Sequence, residues 1–271
     1  MCGIAGLFHF KNEGILALDS SLKMMNRLLQ HRGPDGQGIW LNPKKNMGLA
    51  HQRLSIIDLS EHASQPMVGQ NGFVITFNGE IYNHIELRQS LSSRWDFYTA
   101  SDTEVILAAY AVYGMDCVKH LKGMFSFAIW DGEQLFCARD HFGIKPFYFS
   151  EINDVFYFAS EPKALLPFLP LITTNSKGFT EYMTFQYSLG SQTLFEGVEQ
   201  LEPAHAMVLN SNGKRIWRYW DANFEVDNSI SEEMCNLKLS ELLDESIRMH
   251  LRADVPIAAY VSGGIDSSLI G

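Results

Sequence analysis

The chain is poor in cysteine. Cys2, Cys117, Cys137 and Cys235 are scattered through 271 residues with no C-x-x-C pair, which argues against a disulfide framework or a structural zinc cluster. Cys117, Cys137 and Cys235 read as packing residues. Long apolar runs are absent too: none approaches the ~20 residues of a membrane span. No basic region leads into an apolar segment at the start, so no secretory leader is expected. No Asn-x-Ser/Thr sequon occurs, and a cytoplasmic location is the expectation. Basic residues are outnumbered, 21 against 31 acidic, and a net charge of −10 disfavours a nucleic-acid backbone as the main partner. The nine histidines show no metal-ligand spacing, and no metal site is expected in the chain.

What is abundant is apolar residues, 46% of the chain, enough for a packed core in one large domain or one domain plus a piece of another. Residues 4–8 read as a buried strand. Leu22, Met25, Leu28 and Leu29 then recur at helical spacing, with Asp19 or Ser20 as the N-cap. His31-Arg32-Gly33-Pro34-Asp35-Gly36 forces a loop. Residues 48–57 and 72–77 read as strands, the second stopping at Asn78-Gly79. A helix follows over 83–91. Ser101-Asp102-Thr103-Glu104 reads as a capping box opening another that closes at Gly114. Strands over 125–130 and 134–139 are joined by the turn signal Asp131-Gly132, and 147–150 with 155–159 form a second hairpin. Short strands are expected at 206–209 and 216–220, and a polar linker over 223–229. Ser229-x-x-Glu232 opens a long helix with Met234, Leu237, Leu242, Leu243 and Ile247 on one side. Residues 255–261 read as an apolar strand of the kind buried in a parallel sheet.

Two stretches carry chemistry. The first is Met1-Cys2-Gly3-Ile4-Ala5-Gly6. Removal of Met1 would give one residue both a thiol and a free α-amine, whose unperturbed pKa of roughly 8 suits a base. Such a nucleophile needs no separate His–Asp pair. The alternative is a buried start to a strand, with Cys2 as a small hydrophobe. The second is Ser262-Gly263-Gly264-Ile265-Asp266-Ser267-Ser268 after the apolar strand. Glycines there let backbone N–H groups converge on an anion, and a following helix adds its positive end. It is not a Walker A loop, because the Gly-Lys-Ser/Thr ending is missing.

Together with His31-Arg32-Gly33-Pro34-Asp35, Arg53-Leu54-Ser55-Ile56, Phe77-Asn78-Gly79-Glu80-Ile81-Tyr82-Asn83, Ser101-Asp102-Thr103-Glu104 and Ala138-Arg139-Asp140-x-Phe142-Gly143-Ile144-Lys145-Pro146, these stretches make the chain resemble glutamine-hydrolysing asparagine synthetases. The resemblance implies an α+β fold: an N-terminal nucleophile (Ntn) hydrolase α/β/β/α sandwich over 1–222, a class II glutamine amidotransferase domain. The first helix and strand of a truncated α/β ATP-pyrophosphatase-type domain would follow over 230–271; the family's domain continues far beyond this point.

Cys2 would attack the side-chain amide of glutamine. Asn78 and the N–H of Gly79 would form the oxyanion hole. Arg53, Leu54, Ser55, Ile56, Ile57, Asn78, Gly79, Glu80 and Asp102 would bind glutamine, Arg53 its α-carboxylate and Asp102 its α-ammonium. Val261, Ser262, Gly263, Gly264, Asp266 and Ser267 would bind ATP and its pyrophosphate, with Mg²⁺ as the accompanying ion. Glutamine, aspartate and ATP are the implied partners, with no nucleic acid and no membrane, and a homodimer as the assembly. Taken singly, Asn78-Gly79 reads as a turn, Asp102 as a capping residue, Arg53 as a surface charge, Arg139 with Asp140 as a structural ion pair, and His84 as structural. Two rival functions remain open: an amidotransferase with another acceptor, such as a sugar acid in surface-polysaccharide synthesis, and a non-catalytic glutamine-sensing module.

Overall fold

The computed structural model describes residues 1–227 and 229–271. In chain order the elements are β1 (Gly3–His9), α1 (Leu18–Leu28), β2 (Gly36–Leu41), β3 (Met47–Arg53), β4 (Met67–Val68), β5 (Val74–Ile81), α2 (His84–Leu91), α3 (Asp102–Tyr113), β6 (Gly123–Trp130) and β7 (Leu135–Arg139). β8 (Tyr148–Ile152), β9 (Val155–Ala159), α4 (Ser176–Phe185), β10 (Glu199–Gln200), β11 (His205–Asn210), β12 (Gly213–Arg218), α5 (Glu232–His250) and α6 (Ile265–Ile270) complete it.

The strands form two six-stranded sheets, ordered β10-β8-β9-β1-β3-β2 and β12-β11-β7-β6-β5-β4, with every paired ladder antiparallel. Strand periodicity sorts the side chains into layers, because successive residues point to opposite faces. Ile4, Phe8, Met47, Leu49, Phe156 and Phe158 of the first sheet meet Val74, Ala128, Cys137, Met207 and Leu209 of the second in a core between the sheets. Ala5, Leu7 and Ala50, one residue out of step, face Leu22, Met25 and Leu29 from α1 and its end. Ile75, Phe77, Phe125, Phe127 and Phe136 face outward under Leu87, Leu91, Val105 and Ile106 of α2 and α3. The layers are helix, sheet, sheet, helix. Leu22, Met25 and Leu29 are each 0% exposed, and full burial of such side chains contributes roughly 1.5–3 kcal/mol apiece.

Several local expectations need correction. β5 does not stop at Asn78-Gly79 but pairs through them, Asn78 with Ser126 and Gly79 with Phe125. The first helix is capped at Ala17, in the left-handed conformation, rather than at Asp19 or Ser20. Ser101 caps α3 by accepting from Thr103 N at 3.2 Å, but the capping box is not closed. Glu104 instead takes N–H donors from Trp95 (3.1 Å), Tyr98 (3.0 Å) and Thr99 (2.8 Å). α4 was not expected: Gly178, Thr180 and Thr184 dilute its helical signal. The cap of α5 is Ser231, not Ser229. Cys235 lies exposed on that helix and packs in no core. The expected linker includes Asn228, which lies outside the described residues.

The larger correction concerns the end of the chain. Residues 255–261 form no strand. An apolar strand is stable only with neighbours to complete its ladder and cover its faces, and the described residues supply none. The segment nevertheless touches the main body. Arg252 forks onto Glu86 at 2.6 and 2.7 Å. His250 lies over the Tyr82 ring at 3.9 Å. Asp254 donates its N–H to Ile56 O at 2.9 Å and accepts from Asp58 N at 2.7 Å.

Candidate active site

Strands β1, in the middle of its sheet, and β5, beside the edge strand β4 of the other, bring the sequence motifs together at one end of the space between the sheets. Cys2 precedes β1 with the same parity as Ile4 and Phe8, so it belongs to the inter-sheet side. Its Sγ accepts from Leu54 N at 3.4 Å, and Arg32 Nε holds its carbonyl at 2.9 Å. Asn78 shares the inter-sheet parity of Val74 and Thr76 on β5. A cavity of about 220 Å³ opens there, bordered by Cys2, Arg53, Leu54, Ile56, Ile57, Asn78, Gly79, Glu80 and Asp102. Ser55 is the expected glutamine residue outside it: its N–H donates to Asp35 Oδ2 at 2.8 Å, and it borders a neighbouring groove.

Each of these groups has a physical setting that bears on chemistry. Asn78 is 1% exposed, yet neither its Nδ2 nor its Oδ1 has a hydrogen-bond partner. A buried amide left unpaired costs the desolvation of its polar atoms, and an orphaned donor at a cavity wall is the arrangement expected where an oxygen is to be received. Gly79 is required by close approach, since a Cβ there would collide with the Met124 carbonyl. Arg53 donates to Ser60 O at 2.9 Å and to Asp58 O. A guanidinium has about five N–H donors, so capacity remains for a carboxylate.

Asp102 sits at the first turn of α3 and ties it to β5, accepting from Ile81 N at 2.9 Å. Burial, with the negative charge of Glu80 adding to it, pushes its carboxyl up to about 7 against the pull of nearby backbone N–H groups. Burial likewise raises Glu80 above the ordinary carboxylate range, opposed by Lys145 and His250. Burial pushes the Cys2 thiol up, while the Leu54 N–H, the amino terminus and Lys145 pull it down. Met1 is present here, so the α-amine belongs to Met1 and borders the same cavity; burial pulls it below its usual value.

Other groups at this end of the sheets were not singled out in the sequence. Gln65 accepts from Phe77 N at 2.7 Å and donates to Thr103 at 3.1 Å, linking β5 to α3. His51 is pushed down to about 3 by burial, hence neutral, and its Nε2 donates to Phe77 O at 3.0 Å, one residue before Asn78. Arg139 and Asp140 do not pair with each other; both bind backbone. His84 is structural as expected, held to Ile81 O through Nδ1 at 2.9 Å.

The residues expected to hold ATP lie apart. Val261, Ser262, Gly263, Gly264 and Asp266 are exposed and Ser267 is half-buried. The Ser262 and Ser267 hydroxyls bond to each other at 2.9 Å. Gly263 takes φ +81°, as a tight turn requires. The donors have phosphate chemistry, but among the described residues nothing encloses them, and open in this way they do not fit a nucleotide. Among the described residues no cluster of three or more His, Cys, Asp or Glu is placed to hold a metal ion. No helix there is long and apolar enough to cross a membrane.

Two facing antiparallel sheets between helices, with a cysteine leading into a central strand, define the amidotransferase form of the N-terminal nucleophile fold. The glutamine phosphoribosylpyrophosphate amidotransferase of Bacillus subtilis superposes with a TM-score of 0.60 at 19% identity, covering 83% of this chain and 50% of that one. A glutamine amidotransferase domain profile matches residues 1–220, and an asparagine synthase profile matches 238–271. The chain belongs to the glutamine amidotransferase domain family. It is 38% identical to asparagine synthetase [glutamine-hydrolyzing] 1 of Bacillus subtilis, over 100% of this chain and 43% of that protein. It is 36% identical to asparagine synthetase B [glutamine-hydrolyzing] of Escherichia coli, over 100% and 44%. It is also 36% identical to amidase chry2 of Gibberella zeae, over 90% and 37%. The chain thus spans less than half the length of these relatives.

Proposed function

We propose that residues 1–222 form a glutaminase, with Cys2 as nucleophile and Asn78 and the Gly79 N–H as the oxyanion hole. The observation that carries this reading is the unpaired, buried Asn78 amide beside Cys2 in one cavity. Once Met1 is removed, the Cys2 α-amine takes the thiol proton. The thiolate attacks the side-chain amide carbon of glutamine. Negative charge moves to the carbonyl oxygen, where the Asn78 and Gly79 donors meet it. As the C–N bond breaks, the proton leaves with the nitrogen as ammonia, and water then hydrolyses the γ-glutamyl thioester to glutamate. Arg53 and Asp102 hold the α-carboxylate and α-ammonium, with Glu80 beside them.

For a longer protein of the kind the relatives represent, we propose that the ammonia amidates aspartate activated by ATP with Mg²⁺, giving asparagine, AMP and pyrophosphate in the cytoplasm. Residues 230–271 would open that ligase domain. What supports this is the asparagine synthase profile over 238–271 and the full-length match of the chain to asparagine synthetases, not a nucleotide site formed here. Cys2→Ala decides the first half. Ammonia release from glutamine should be abolished with the circular dichroism spectrum unchanged; wild-type turnover by the variant would remove Cys2 from the mechanism.

A further inference from the structure

One buried charge has no task in the mechanism above. Lys145 is only 4% exposed, yet it borders the cavity together with Cys2, Asn78, Gly79 and Glu80. Among the described residues its Nζ makes no hydrogen bond and no ion pair, whereas Lys11, Lys23, Lys119, Lys163 and Lys214 all pair with carboxylates. The ammonium opens only onto the cavity, and one so far withdrawn from water without a bonded partner is costly.

The backbone around it is held in place by an unusual number of bonds. The Asp140 carboxylate accepts N–H donors from Phe125 (3.2 Å), Phe142 (3.1 Å), Ile144 (2.9 Å) and Lys145 itself (2.9 Å). The Arg139 guanidinium donates to the carbonyls of Lys145 and Gly143, each at 2.8 Å, and of Leu201 at 2.5 Å. These two residues spend their charges on the loop and not on each other. A loop fixed from both sides cannot carry the ammonium out to solvent, as a surface lysine would.

We propose that Lys145 holds Cys2 in its thiolate form: its ammonium, confined by the Arg139–Asp140 clamp, faces the sulfur across the cavity and compensates its charge. The proposal rests on the reading of Cys2 as nucleophile. Lys145 stays protonated throughout; the thiol proton goes to the α-amine and leaves with ammonia, so no bond to Lys145 forms or breaks. The surrounding charges agree with this role. Burial pulls Lys145 down, while Glu80, Cys2 and Asp140 favour its charge and Arg32 opposes it. Arg32, Arg53 and the amino terminus are the other cations at this end, and Asp35, Glu80, Asp102 and Asp140 the carboxylates.

Alkylation of Cys2 by iodoacetamide reads thiolate directly and needs no turnover. The full chain is used with Met1 removed, checked by intact mass, and with Cys235→Ala to remove the exposed thiol, since Cys117 and Cys137 are buried. The rate at Cys2 is followed by peptide mass from about pH 5 to about pH 10. Lys145→Met should move the midpoint up by about one pH unit and slow alkylation roughly tenfold at neutral pH. Lys145→Arg, which keeps the charge, should stay within about threefold of wild type. Lys145→Gln serves as the neutral variant if the Met form does not fold. A folded neutral variant with the wild-type midpoint overturns the proposal, and so does a folded Arg variant as slow as the neutral one. Failure of the glutaminase reading would show instead as ammonia release by Cys2→Ala.

Discussion

Glutamine affinity should depend on pH through Asp102. Its carboxyl is buried, 5% exposed, and is pushed up to about 7. Only the ionised form can pair with the α-ammonium of glutamine, which stays protonated throughout this range. A group of pKa ~7 is about one-tenth ionised at pH 6 and about nine-tenths at pH 8. The dissociation constant should therefore fall about tenfold between those values, a difference of about 1.4 kcal/mol. The assay is isothermal titration of glutamine into Cys2→Ala, which cannot turn over. The same titration with Asp102→Asn added isolates the carboxyl from other groups that ionise nearby, such as the α-amine. The double variant should bind more weakly and lose the pH dependence. Equal affinity at pH 6 and pH 8 in Cys2→Ala, or a slope that persists in the double variant, would refute the assignment of the α-ammonium to Asp102.

The same carboxyl sets a stability difference. Because folding raises Asp102 from 3.8 to about 7, the folded chain binds more protons than the unfolded chain in that window, and stability falls as pH rises through it. Asp102→Asn without glutamine should melt higher than wild type at pH 8, by on the order of a few kcal/mol at most, and thermal denaturation followed by circular dichroism checks this. Asn78→Ala should cost ~10²–10³ in kcat with little change in KM, whereas Arg53→Ala should raise KM with kcat nearly kept; steady-state ammonia release separates the two. Mg-ATP should give no saturable heat on titration into this chain, because Ser262 to Asp266 lie open to solvent; micromolar binding would contradict that.

The layers were legible in the sequence because they depend on local periodicity. The alternation of Ile4, Phe8, Ala5 and Leu7 and the helical spacing of Leu22, Met25 and Leu29 each encode a buried face without reference to distant residues. The candidate site was legible for a different reason. Cys2, Arg53, Asn78, Gly79 and Asp102 occur in short motifs whose order matches a known family. What the motifs did not carry was pairing between distant segments. Asn78-Gly79 has the composition of a turn, but Ser126 and Phe125 hold it in a strand. Arg139 and Asp140 look like an ion pair, yet the backbone of the loop that follows is a better set of partners for both. Residues 255–261 have a strand's composition and lack the neighbours to become one. Lys145 was hidden by the same limit: its burial beside Cys2 comes from bonds made by Arg139 and Asp140, not from its own surroundings in sequence.

The contacts of residues 252–254 tie the end of α5 to the wall of the Cys2 cavity. Asp254 grips the backbone of Ile56 and Asp58, and the carbonyl of Asp58 is one of the anchors of the Arg53 guanidinium. Two hydrogen-bonded steps thus join the segment after α5 to the Arg53 side chain at the wall of the Cys2 cavity. Arg252, forked onto Glu86, moors the same segment to α2.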